Sequence, residues 1–304
     1  MVRVTNSMQN LQLLNNLRMT NRDILRWQDK LATGQKIQRP GDDPVGINYL
    51  LRYDTELNRS EEYLENARTA LGMLKTMDTL MQQANDVLKR ARVLVQQASN
   101  GTMPQEGLNT IKAEIVQLRE QMVAIANSNY AGRYLFNGQK TDRPPYSVDT
   151  ANTDTTDKGI FYLNVSPMVK VPVSITGELI FGPAQDPANP QEEPENVFVL
   201  LENIEKHLLN GEQQELFKDL EYIDAAADRI MVAWAEIGAR TNRFELVESR
   251  ILDEQASLKE LRSAVSDVDM ADAITQLKLK ENVLQAALGT GARIMQVSLL
   301  DFLR

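Results

Sequence analysis

The chain has 304 residues, of which 42% are hydrophobic but only 6% aromatic, with no cysteine and a formal net charge of −9. The length suits one large or two to three ordinary domains, and a core of Leu, Ile, Val, Ala and Met favours helices packed along stripes over β-sandwiches. Without cysteine there are no disulfides, thiolate metal sites or thiol nucleophiles, and the acidic balance argues against nucleic acid as a partner, because phosphate binding needs a basic footprint. The first residues, "MVRVTNSMQNLQLLNNL", lack the charged start and apolar block of a secretory signal. The stretch "VLQAALGTGARIMQVSLLDFLR" is interrupted by Gln285, Arg293, Gln296 and Asp301, so no membrane span is expected.

In chain order, a helical pattern runs from Val4 to about Leu31 through Leu17, Ile24 and Leu31. The loop "LATGQKIQRPGDDPVG" follows, and then a long helix from Pro44 to about Ser99 with Leu57, Leu64 and Leu71 and, in a second row, Leu74, Met81, Leu88 and Val95. After "SNGTMPQEG", the stripe Leu108, Ile111, Ile115, Leu118, Met122, Ile125 steps by three and four, a narrow coiled-coil seam. Beyond Tyr130 the pattern changes. "IFYLNVS" and "VKVPVSITGELIF" read as strands, and from 141 to 196 nine acids face three bases, a small β insert with solvated, Pro-rich loops. Helices resume near Val197. One seam, from Leu216 through Ile223, Ile230, Ile237, Phe244 and Ile251 to Leu258, predicts a rod roughly 60 Å long. A last helix starts near Asp269 with the row Leu277, Leu284, Gly291 and a second row Ile274, Leu288, Met295, Phe302, interrupted by Glu281. The expected fold is mainly α with a small β domain: long antiparallel rods formed by both chain ends, with the β insert at the tip.

The loop after the first helix reads as a joint. Gly34 suits a left-handed helix end. Arg39 and Asp43 each precede a proline and are pushed out of helical space, while Pro40 and Gly41 turn the chain. Asp43 is a good N-cap with Pro44 at the first helical position, Asp42 adds charge at the positive helix end, and Gly46 completes the motif. A catalytic role for these carboxylates needs a partner acid or base, and the chain supplies a single histidine, His207. His207 reads as a helix-end or surface residue. Asp267, Asp269 and Asp272 fit capping of the last helix better than a cation site. "DTANTDTTDKG" lacks the EF-hand pattern, and "GTGAR" (Gly289 to Arg293) lacks the strand a phosphate loop needs and reads as a close-approach helix segment. No catalytic residue, cofactor or metal is expected, and an enzyme is the weakest reading. The first helix is rich in asparagine and the last carries glycines, so both ends are expected to be loose in a free monomer and to order on assembly.

"LATGQKIQRPGDDPVG", "YLFNG", "VPVSITGELIFG" and the C-terminal "SDVDMADAITQLKLKENVLQAALGTGARIMQVSLLDFLR" resemble the flagellin superfamily, and within it the hook–filament junction branch. The resemblance implies a subunit secreted through the flagellar export channel, forming a layer of the bacterial flagellum between the hook side and the filament. Implied partners are further copies of itself, the adjacent hook-associated protein, flagellin, and a cytoplasmic export chaperone. It also implies an inner-tube layer built from residues 1–34 and 267–304, a helical rod of 35–133 and 197–266, and an outer β domain of 134–196. Leu11, Leu14, Leu17, Ile24, Ile274, Leu277, Leu284, Leu288, Ile294, Leu299, Leu300 and Phe302 are the expected assembly interface, with heterologous contacts that propagate. On this basis Leu284→Asp and Leu288→Asp are expected alike to block incorporation. The rivals are bulk flagellin, with the same fold, and a helical scaffold or signalling coiled coil, against which the β insert between matched helical halves argues.

Overall fold

The computed structural model describes residues 6–100, 103–185 and 194–302, with side chains described except at 6, 7, 9 and 10 and from 294 onward. Its elements are helices α1 (Asn6–Thr33), α2 (Pro44–Ala98) and α3 (Gln105–Ala126), strands β1 (Asn129–Tyr130), β2 (Arg133–Tyr134), β3 (Tyr162–Ser166) and β4 (Val169–Pro172), and helices α4 (Gly177–Phe181), α5 (Val197–Asn210), α6 (Gln213–Ser266) and α7 (Met270–Phe302). The mainly helical class with a small β region is as the periodicity indicated. The residues form two compact units, Met1–Arg59 with Glu254–Arg304, and Ser60–Asp253, and the division falls inside α2 and α6.

In the unit Ser60–Asp253 the heptad rows are the core. Leu64, Leu71, Leu74, Met81, Leu88 and Val95 of α2 are buried, as is the whole α3 stripe from Leu108 to Ile125. In α6, Leu216, Ile223, Ile230, Ile237, Phe244 and Ile251 are buried at every seventh position. Polar pairs fix how α2 and α6 run together: Arg92 meets Asp224 at 2.6 Å, Trp234 Nε1 donates to Asp78 at 2.6 Å, and Arg68 meets Glu248 at 2.8 Å. The first and last pairs are separated by the same number of residues on each helix, so the two helices are antiparallel and in step. Exposed pairs of this kind add little stability; their value here is in setting register. Helix α5 packs on α3. Asn196 caps its start, accepting from the N–H of Phe198 at 2.8 Å and of Val199 at 3.4 Å, and Gly211 ends it at φ +71°.

The β region consists of two hairpins. β1 and β2 are joined by Ala131 and Gly132, both left-handed (φ +50° and +80°), the conformation a two-residue hairpin turn demands. β3 pairs antiparallel with β4, with an irregularity between Asn164 and Ser166. The "YLFNG" segment holds this region together. Leu135 and Phe136 are buried, and Asn137 accepts from the N–H of Asp157 at 3.1 Å and donates to the carbonyl of Arg143 at 3.3 Å. Gly138 sits at φ +56°, where an added Cβ would lie 2.3 Å from the Asp157 carbonyl oxygen. One expectation is corrected. "GELIF" is not the end of a strand but helix α4, because Gly177, Ile180 and Phe181, spaced i, i+3, i+4, are all buried on one helical face. Phe181 meets Phe136 and Tyr146 edge-on, at centroid distances of 5.8 and 5.9 Å, and tilts against Phe198 at 5.5 Å. Burial pushes the Tyr146 phenol above its ordinary range, so it stays neutral within the cluster. Phe181→Ala should cost about 3–5 kcal/mol. Urea unfolding followed by circular dichroism checks this, and a change under about 1 kcal/mol would remove Phe181 from the centre of that core.

Candidate assembly interface

In the unit Met1–Arg59 with Glu254–Arg304, α1 and α7 pack against each other. On α1 the shielded positions include Leu13, Leu17, Thr20, Ile24, Trp27 and Leu31, with Asp23 and Lys30 beside them; on α7 they include Ala273, Leu277, Lys280, Leu284, Ala287 and Gly291, with Gln276 beside them. Both sets step alternately by three and four, the signature of a two-helix seam. The pair is antiparallel: Lys280 meets Asp23 at 3.0 Å, while farther along, Gly291 lies beneath Leu13, whose Cδ2 would be 2.7 Å from any added Cβ. The glycine of "GTGAR" therefore permits a close helix approach, and its conformational cost of about 1 kcal/mol relative to Ala is offset there by contact.

The two connectors of this unit are stitched together. Gly34, at φ +70°, ends α1 with its N–H on the Lys30 carbonyl at 2.9 Å. Gln35 then bridges antiparallel to Asp267 in the link between α6 and α7. The Lys36 N–H donates to the Ser266 carbonyl at 2.6 Å and the Val268 N–H to the Gly34 carbonyl at 3.0 Å. Pro40 and Gly41 occupy the centre of a turn closed by the Asp42 N–H on the Arg39 carbonyl at 2.9 Å. Asp42 turns back rather than toward α2: its Oδ2 accepts from the N–H of Gln38 at 3.2 Å and of Arg39 at 3.0 Å. Asp43 caps α2, accepting from the N–H of Val45 at 3.1 Å and of Gly46 at 2.9 Å. Gly46 is buried under Ile37, whose Cδ1 would lie 2.4 Å from an added Cβ, which explains both the glycine and the burial of Ile37. On the other side Asp269 caps α7 through the N–H of Ala271 at 2.9 Å and of Asp272 at 3.2 Å. Ser266 is the last residue of α6. Arg262 of α6 meets Asp54 of α2 at 2.6 Å within the same unit.

The twelve apolar positions expected at the interface divide into three groups. Leu17, Ile24, Leu277 and Leu284 are shielded or half-shielded on the α1–α7 pair. Leu11, Leu14, Ile274 and Leu288 are exposed. Ile294, Leu299, Leu300 and Phe302 lie outside the residues whose side chains are described. Met8, Met19, Leu25, Leu279 and Val283 add to the exposed apolar set, and the sequence reading had not named them. Leu25 continues the row of Leu11, seven residues apart twice over, whereas Leu279 and Val283 lie on the side of α7 away from Ile274 and Leu288.

The segments that carry this arrangement match a known family. Residues 4–141 match the model of the bacterial flagellin N-terminal helical region, and 220–303 that of the flagellin C-terminal helical region. The chain belongs to the flagellin family. It is 21% identical to the flagellar hook-associated protein 3 of Salmonella typhimurium, with all of both chains covered, and 25% identical to the flagellin of Bacillus subtilis, over 94% of this chain and 93% of that one. Its fold resembles the crystal structure of the flagellar junction protein of Legionella pneumophila, with a TM-score of 0.56 at 17% identity, covering 71% of this chain and all of that one. In this flagellin-family chain the matched segments contain both partners of the seam and both stitched connectors.

Elsewhere, His207 stands at the end of α5 with its Nδ1 2.8 Å from Asp219. The helix-end placement holds, but Asp219 is buried, a partner the sequence reading missed. Burial pushes the Asp219 carboxyl up and the histidine opposes the shift. Among the described residues no three His, Cys, Asp or Glu side chains are grouped to hold a metal ion. None of their helices is long and apolar enough to cross a membrane.

The Asp42 turn is a pH-sensitive element. The backbone N–H groups of Gln38 and Arg39 hold its carboxyl below the ordinary 3.8. A lowered acid pKa stabilises the folded turn above the ordinary value, and that contribution disappears as pH falls through the lowered one. The protection of the Gln38 and Arg39 amides, measured against their intrinsic exchange rate at each pH, should fall in that acidic window, and Asp42→Asn should already show low protection at neutral pH. Equal protection in the variant would mean that the carboxylate does not hold the turn.

Proposed function

We propose that this chain is a structural subunit of the bacterial flagellum, forming the junction layer between the hook side and the flagellin filament. It does so by packing helices rather than by catalysis. The observation that carries the reading is the likeness to hook-associated protein 3 over the whole length of both chains. The likeness of fold to the Legionella junction protein supports it. Bulk flagellin is the second reading, favoured by the 25% identity to the Bacillus subtilis flagellin.

On this reading the terminal helices α1 and α7 form the inner layer, the long helices surround it, and the β region lies outermost. Partners are other copies, the neighbouring hook-associated protein and flagellin, with export through the flagellar channel and an export chaperone before assembly. The physical support is the surplus of apolar side chains on α1 and α7. Each helix satisfies one row against the other and leaves a second row in water. Fully burying one Leu-sized side chain contributes roughly 1.5–3 kcal/mol, so a few rows per subunit can order helices that are marginal alone.

Deleting the gene and imaging cells by electron microscopy is the test. Hooks without filaments, with flagellin in the medium, are expected; normal filaments would sink the reading. Immunogold labelling in the wild type should give one band at the hook end, whereas label along the whole filament would favour bulk flagellin. The structure also separates two substitutions that the sequence treated alike. Leu288→Asp, on an exposed row, should prevent incorporation and leave the monomer's unfolding curve unchanged. Leu284→Asp should also loosen the α1–α7 pair, seen as faster amide exchange in both helices.

A further inference from the structure

Two exposed rows in the terminal unit match one another. On α1, Leu11, Arg18 and Leu25 recur every seven residues; on α7, Ile274, Glu281 and Leu288 do the same. All six side chains are exposed, the four apolar ones by 45% to 60%. Scattered exposed leucines need no explanation, but these are in register. Seven helical residues rise about 10.5 Å and drift by only about 20° around the helix, so each row is a straight strip: apolar, charged, apolar. The charges are opposite. Neither strip serves the pairing inside the chain, which uses Leu13, Leu17, Ile24, Leu277, Leu284 and Gly291. Among the described residues neither Arg18 nor Glu281 forms an ion pair, while the neighbouring Lys280 is held by Asp23.

We infer that the strip Leu11–Arg18–Leu25 of one copy packs on the strip Ile274–Glu281–Leu288 of another, with Arg18 against Glu281 at the centre. The inference rests on the self-assembling reading above and adds which surfaces meet. With the charge central, the strips agree whether the helices meet parallel or antiparallel. A slip of one heptad sets each charge against a leucine or isoleucine and buries it unpaired, which is strongly unfavourable. Two α1 strips together would oppose Arg18 to Arg18, and two α7 strips Glu281 to Glu281. The central pair therefore selects both partner and register, as a single polar position does in coiled coils. Each strip joins a different one, so a copy that has used one strip still offers the other, and the contact can repeat along an array.

The test uses a deletion strain complemented with the full chain, measuring the amount of chain in isolated flagella by immunoblot. Arg18→Glu and Glu281→Arg should each lower it about tenfold or more, since charge pairs desolvated at an interface couple at that scale. The double variant R18E/E281R should restore it to near the wild-type level. Arg26→Glu, exposed two turns along and about 80° around the helix from Arg18, should not be rescued by Glu281→Arg. Because the chain has no native cysteine, co-expressed Arg18→Cys and Glu281→Cys chains should also join through a short bis-maleimide into a covalent dimer. Failure of the double variant to recover would overturn the pairing, as would a link to a different flagellar protein. If the wild-type chain enters flagella and rescue fails, only the pairing falls; if the wild-type chain is absent from flagella, the flagellar reading falls with it.

Discussion

The antiparallel contact of α1 with α7 is the constraint from which the rest of the terminal unit follows. It joins two segments separated by nearly the whole chain, and neither is a strong helix former alone, since α1 carries several asparagines and α7 two glycines. Their shared seam is narrow. Ala273, Ala287 and Gly291 are small, which lets the axes approach, and Leu13 fills the space over Gly291. A narrow seam satisfies one row per helix and no more. The remaining apolar rows are then a consequence of geometry: a helix of this length with two stripes needs partners on two sides.

The connectors inherit their structure from the same contact. Once α1 and α7 are paired, the links that lead out of α1 and into α7 lie beside each other and can share backbone hydrogen bonds, which they do from Gly34 to Lys36 and from Ser266 to Val268. The sequence suggested a flexible joint in the first link alone. The bonded arrangement is stiffer, because moving one link breaks bonds to the other. Asp42 closes the turn and Asp43 starts the helix, so two adjacent carboxylates with an active-site look have separate mechanical tasks.

What was legible in the sequence followed from side-chain periodicity. The helices, Gly34 as a helix end, Asp43 as a cap and the buried rows of α2, α3 and α6 all rest on spacing that a single sequence displays. The stitched connectors do not, since a bridge between Gln35 and Asp267 is made by backbone atoms and leaves no residue pattern. Helix α4 was misread as strand because five residues hold too little of either period, although Gly177, Ile180 and Phe181 carried the helical spacing. Periodicity also identifies apolar rows without saying which one is satisfied within the chain. Leu284 and Leu288 looked equivalent until the packing put one on the seam side and one in solvent.

The distribution of charge bears on how such a subunit remains soluble before it assembles. The terminal unit holds fifteen Lys and Arg against thirteen Asp and Glu, whereas Ser60–Asp253 holds eighteen against twenty-nine. All of the net negative charge thus belongs to the unit that buries its own apolar rows, and the unit with exposed rows is slightly positive and close to neutral. Separating the two properties serves both states. Repulsion between acidic units keeps free chains apart and in solution. Close approach of the near-neutral terminal helices meets little long-range opposition, and at physiological salt the acidic field beyond about 8 Å is screened. Contact between copies is then governed by short-range fit and by individual pairs of opposite charge, the interactions that discriminate one register from another.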